Sequence, residues 1–177
     1  MVDKKPIFDL VRSLLKEHNP AWVTFSSEEI ARLDAAIDKA VGVVPVKTTG
    51  KFKFNTNSSK IISGVHPHLQ AVMTLALSKS DIDFTVLEGM RLLSRQRVLV
   101  AQGASKTLNS RHLTGHAIDV APLINGKVSW DWPLYHKMAV TIKAAAKELN
   151  IPLEWGGDWK SFKDGPHWQL PFKEYPK

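Results

Sequence analysis

Two short stretches dominate what this chain can become. The first, Ser110-Arg111-His112-Leu113-Thr114-Gly115-His116-Ala117-Ile118-Asp119-Val120-Ala121-Pro122, sets two histidines, a carboxylate and a helix-breaking glycine around an apolar alternating run. The second, Asp164-Gly165-Pro166-His167-Trp168-Gln169-Leu170, lies near the C-terminus. Each reads as half of a metal site, so the fold must carry them to one place.

His112 and His116 have the i, i+4 spacing of a helical pair of ligands, but Thr114 and Gly115 disfavour a helix and no Glu follows His112. A strand fits better. Gly115 permits a bend, after which Ala117 and Asp119 point to one face and Ile118 and Val120 to the other. His112 and Asp119 are the expected pair. His167 opens a second strand whose Trp168 and Leu170 can be buried, leaving His167 and Gln169 toward the site. The chain has no cysteine, so any metal must be held by His, Asp or Glu. Two histidines and one aspartate leave a coordination position open, as in catalytic rather than structural zinc. The attacking water then needs a base, and Asp164, on a Gly-Pro turn before His167, is placed for it. Arg91, at the end of an expected strand, is the candidate for stabilising an oxyanion. Ser110 is expected to orient a ligand or to bind substrate backbone. On the residues alone, structural histidines and unrelated surface charges are an equal reading of the triad. That reading is the default for His18, His66, His68 and His136, because a metal site needs several convergent ligands.

The remaining chain supplies the frame. Its 177 residues suit one domain, with or without a small helical appendage. Ile7, Leu10, Val11, Leu14 and Leu15 recur at helical spacing, and Asn19-Pro20 ends that run. Ser26-Ser27-Glu28-Glu29 then caps a second helix, giving a helical hairpin over 1–45. A linker comes next at 46–59, with a short strand near 51–54, and the main domain takes 60–177. Within it the patterning predicts a helix after Ser63, a strand over 83–88, a helix over 94–102 and a strand over 117–121. Asn125-Gly126 predicts a hairpin turn with a returning strand over 127–130. A long helix over 134–149 and short strands at 153–157 and 167–170 complete an α+β domain with a small, mainly antiparallel sheet.

Net charge is +7, from 24 basic and 17 acidic residues, which favours anionic partners: nucleic acid, an anionic membrane or an acidic wall polymer. No long Lys/Arg block is present, which weakens nucleic acid as the partner. No apolar run approaches the roughly 18–20 residues of a membrane helix. Asp9, Arg12 and Lys16 interrupt the stretch after Lys4 and Lys5, so no signal-peptide core is expected. Trp130, Trp132, Trp155 and Trp159 lie between the two motif halves and build either core or a groove wall.

The pattern Ser110-x-His112-x-x-Gly115-x-Ala117-x-Asp119 with Asp164-x-x-His167 resembles that of the VanX/VanY-like zinc peptidases, and within them the phage L-alanyl-D-glutamate endopeptidases. Asp83-Phe84-Thr85-Val86-Leu87-Glu88-Gly89-Met90-Arg91 and Trp155-Gly156-Gly157-Asp158-Trp159 are similar to the phage endolysin branch. The resemblance covers roughly 60–172. It implies a compact α+β fold, zinc on His112, Asp119 and His167, and Asp164 as the catalytic carboxylate, with His116 lining the site without binding metal. It further implies a peptidoglycan substrate and cleavage between L-Ala and D-Glu; a monomer is expected, made in a host cytoplasm because no signal-peptide core forms and reaching the wall through a holin-type route. No nucleic-acid or membrane-inserted role is expected. A D-Ala-D-Ala carboxypeptidase or dipeptidase, and a wall-binding module without catalysis, are the alternatives. Leu92 follows Arg91 where many relatives carry Ser or Thr, so a hydroxyl contact there is not expected.

Overall fold

A computed structural model describes residues 50–176 of the chain. The hairpin expected over 1–45, and the first positions of the expected linker, lie outside the described residues. Helix α1 spans Thr56–Ile62, α2 Pro67–Lys79, α3 Leu93–Ala101 and α4 Trp132–Glu148. The strands are β1 Phe84–Glu88, β2 Ala117–Ile124, β3 Lys127–Val128, β4 Glu154–Trp155 and β5 His167–Gln169. The class is α+β, as the patterning implies.

The sheet runs β1-β2-β5-β4, with β3 paired to β2, and every pairing is antiparallel. Phe84 and Val86 of β1, Ile118 and Val120 of β2 and Trp168 of β5 are buried together with Leu69, Val72 and Met73 of α2 and Met138 and Ile142 of α4. Side chains of this kind each contribute roughly 1.5–3 kcal/mol on burial. Trp155 stacks on Trp168 with centroids 5.6 Å apart and donates its Nε1–H to the Gly165 carbonyl at 2.7 Å. The tryptophans therefore divide: Trp155 and Trp168 are core, whereas Trp130 and Trp159 line a cleft on the other side of the sheet.

Helix α1 stands where the sequence reads as linker, and no strand forms over 51–54. Asn55 caps it by accepting from the Ser58 N–H at 2.8 Å. The buried Ser58 hydroxyl pairs with Thr85 Oγ1 at 2.8 Å and accepts from the Val86 N–H at 3.2 Å. It thereby satisfies a donor on the free edge of β1. A helix of polar, weakly helical residues is held by that edge contact rather than by its own propensity.

Register decides what the sheet shows to the cleft. Asp119 lies directly across from His167, Ile118 from Trp168 and Ala117 from Gln169. On the other flank Val86 pairs with Val120 but Glu88 pairs with Asp119, so β1 carries one extra residue there. Strict alternation would turn Glu88 inward with Phe84 and Val86. The bulge re-aims it to the Asp119 side. Asn125 and Gly126, at φ 52° and 75°, make the expected hairpin turn, but β3 ends at Val128 rather than continuing to Trp130. Helix α4 starts two residues earlier than expected and closes at Asn150, whose φ is 54°.

Candidate metal centre and its cleft

His112 is presented by a single 3-10 turn, Arg111–Thr114, rather than by an open loop. The Ser110 hydroxyl starts the turn by accepting from the His112 N–H at 3.3 Å. Gly115 ends it at φ 70°, a conformation that strains any residue with a Cβ. His112 Nδ1 lies 2.7 Å from the Gly89 carbonyl. A carbonyl only accepts, so Nδ1 carries the proton and Nε2 the lone pair. His167 is fixed likewise. Its Nε2 lies 3.1 Å from Gln169 Oε1, and the Gln169 amide is oriented by donating to Glu154 Oε2 at 2.7 Å. His167 therefore turns the lone pair of Nδ1 inward.

Both lone pairs meet Asp119. His112 Nε2 is 3.2 Å from Asp119 Oδ1 and 3.2 Å from His167 Nδ1, and His167 Nδ1 is 3.1 Å from the same carboxylate oxygen. Three acceptors thus converge on one point with no hydrogen of their neutral forms between them. Three ligands on one tetrahedral ion, at bonds of about 2.0–2.2 Å, stand roughly 3.3–3.5 Å apart. The donor set and its spacing suit a divalent cation, and these three residues can hold one. Burial opposes charge on Asp119, yet the two imidazoles against its Oδ1, when they take up a proton on their inward nitrogens, hold it below the ordinary carboxylate range by hydrogen bond and charge. Burial also opposes a charged His167, but Asp119 pushes its titration up. The centre attracts positive charge whether as protons or as a metal.

Asp119 Oδ2 faces the Arg91 guanidinium at 3.5 Å. Arg91 is itself held by Glu88, at 2.8 Å from Nε and 2.5 Å from Nη2, and by Gln96 Oε1 at 2.7 Å. Gln96, fully buried on α3, donates its own amide to Ser105 Oγ at 2.8 Å and to the Thr107 carbonyl at 2.6 Å. Sequence reasoning singled out Arg91 but neither Glu88 nor Gln96. Glu88, three residues before Arg91, was a usable signal; the bulge that aims it was not.

Asp164 lines the same cleft, a cavity of about 820 Å³. Burial, and then the charge of Asp119, pushes its carboxyl above the ordinary value. That carboxylate has no hydrogen-bond partner among the described residues. The turn bearing it is pressed against Gly156, where a Cβ would come within 2.6 Å of the Asp164 carbonyl oxygen and 3.1 Å of His167 Cβ. Trp159 covers His167 with ring centroids 5.2 Å apart.

The expected substrate contacts are placed differently from one another. Ser110 and Gln169 line the cleft, but the hydroxyl of one and the amide of the other are engaged in orienting His112 and His167. His116 does not line it. Its Nδ1 bonds Thr114 Oγ1 at 2.9 Å, and its ring packs 5.1 Å from His66 in a separate cluster with His68 and Tyr175.

The sequence model of the phage L-alanyl-D-glutamate peptidase family matches residues 50–169. The chain is 40% identical over 117 residues to the L-alanyl-D-glutamate peptidase of Escherichia phage T5, covering 64% of this chain and 85% of that protein. It is 32% identical over 126 residues to the peptidoglycan L-alanyl-D-glutamate endopeptidase CwlK of Bacillus subtilis, covering 61% and 74%. The crystal structure of the Serratia marcescens L-Ala D-Glu endopeptidase ChiX superposes with a TM-score of 0.68 at 48% identity, over 72% of this chain and 96% of that one.

Proposed function

The chain belongs to the phage L-alanyl-D-glutamate peptidase family, and we propose on that premise that it hydrolyses peptidoglycan stem peptides at the bond between L-Ala and D-Glu. The observation that carries the reading is the convergence of three lone-pair atoms beside a second, unpartnered carboxylate in one cleft. Nitrogen and carboxylate donors without sulfur, three in number, suit zinc. Zinc held there would supply Lewis acidity, lowering the pKa of a water and polarising the scissile carbonyl.

The residues would share the remaining work. His112, Asp119 and His167 hold the ion, with Gly89 and Gln169 fixing the two imidazoles. Asp164 takes the proton of the attacking water and returns it to the leaving amine, a role that its raised pKa favours. Arg91 contributes positive charge near the developing oxyanion and positions Asp119. Ser110 and Gln169 act through the ligands they orient. The peptidase domain in this reading begins by residue 50, since the family match starts there and α1 packs on β1 through Ser58, and residues 1–45 are an appended hairpin. The enzyme acts on the wall as a monomer, after synthesis in the host cytoplasm and holin-type release.

The names of the relatives support this bond over D-Ala-D-Ala cleavage, and the free Asp164 carboxylate argues against a module that only binds the wall. A defined muramoyl-pentapeptide tests the choice. Mass spectrometry of its digest is expected to find a product with D-Glu at its N-terminus; release of D-Ala instead would overturn the reading.

A further inference from the structure

The wall of the cleft formed by α3 and the loop after it carries positive charge that the metal centre does not use. Of the basic side chains lining the cleft, Arg91 is bound by Glu88, and Arg111 is buried, with Nε and Nη2 held by the Leu170 and Tyr175 carbonyls. Arg95 and Lys106 remain. Neither has an acidic partner among the described residues, and both are exposed. Arg95 and Leu99, one helical turn apart, both line the cleft, so this face of α3 is turned to it. Lys106 lies 5.0 Å over the Phe162 ring, a contact that leaves its charge intact.

One buried residue holds the two cations on a common wall. Gln96 follows Arg95 in the chain, and its amide bonds Ser105 and Thr107, the residues either side of Lys106. The same amide accepts from Arg91, which faces the ligand Asp119. Arg95 and Lys106 are thus tied through one hub to the metal centre.

The substrate of the reading above is lopsided in charge about its scissile bond. On the L-Ala side the chain continues as an amide to the neutral lactyl group of the sugar. On the other side D-Glu is joined onward through its γ-carboxyl, which leaves its α-carboxylate free on the carbon that bears the scissile nitrogen. An unneutralised cationic wall beside the centre complements only the second side. We propose that Arg95 and Lys106 bind this free α-carboxylate, making the enzyme selective for D-Glu over its α-amide, D-isoglutamine. The inference rests on the peptidase reading.

The test compares kcat/KM on two muramoyl-peptides that differ only in that group, for the full chain and for Arg95→Glu/Lys106→Glu. The wild type is expected to prefer the free carboxylate by about tenfold or more, the scale of one charge-assisted contact. The double variant is expected to lose or invert the preference. Both positions are exposed, and circular dichroism confirms that the variant is folded. Equal cleavage of both peptides by the wild type would overturn the inference and leave the peptidase reading standing. A wild-type preference unchanged in the variant would remove these two residues from the role. Cleavage of neither peptide would overturn the peptidase reading and the inference with it.

Discussion

Asp119 and Asp164 are two carboxylates in one cleft whose surroundings drive them apart. Asp119 is held low by the imidazoles that share its Oδ1, and Asp164 is pushed up by burial and by Asp119 itself. A separation of this kind divides labour between a group that stays ionised and a group that exchanges protons. Asp164→Asn should lower kcat by about a hundredfold or more, while metal analysis finds the ion still bound. Near-normal turnover in that variant would remove Asp164 as the base. The pKa of Asp164 is raised in the metal-free protein, so carbon-13 NMR of its carboxyl there should find the midpoint above about 3.9, the value of an unperturbed aspartate. A midpoint at or below that value would contradict the account of its surroundings.

At the scale of elements, the 3-10 turn that carries His112 and the turn that carries Asp164 do most to place the chemistry. The turn carrying Asp164 leans on Gly156, where an added Cβ would press on backbone rather than on a flexible tip. Gly156→Ala should cost about 1–3 kcal/mol of stability, as overpacking does, and reduce activity further by shifting Asp164. Urea unfolding and kinetics together check this, and a variant unchanged in both would show that the turn tolerates displacement. The start of α2 sets another test. His66 caps the helix by accepting the His68 N–H on Nδ1 at 3.1 Å. Its pKa is lowered from 6.5 to about 4 by burial and then by the charges of His68, His116 and Arg111. Below pH 6.5 the unfolded chain therefore binds a proton that the folded chain refuses. Stability should decline as pH falls from about 6.5 towards 4. Protonation would also remove the capping acceptor and place positive charge at a helix N-terminus. His66→Asn keeps a capping acceptor without titrating, so its urea midpoint should vary less over this range. An equal pH dependence in both proteins would assign the loss to other groups.

Across the whole molecule, the legible parts were those written in local pattern. Ile118, Val120, Trp168 and Leu170 alternate with Asp119, His167 and Gln169, so the two half-motifs read as strands with ligands on one face, and the sheet pairs them in register. Helix α1, the bulge before Glu88 and the Gln96 hub were not legible, because each depends on a partner distant in sequence: Thr85 and Val86 for Ser58, Asp119 for Glu88, Ser105 and Thr107 for Gln96. His116, close in sequence to His112 and Asp119, faces another cluster because Gly115 turns the chain after His112. The described residues include no helix long and apolar enough to cross a membrane. In the proposed reading, residue, strand and cleft together make a metal-dependent hydrolase built on His112, Asp119 and His167. The measurement that tests it most directly is the release of peptides with D-Glu at their N-termini from purified sacculi, by chelator-treated protein before and after zinc is restored. No release without metal, and recovery with zinc, is the expected result. Equal release by the metal-free protein would contradict it.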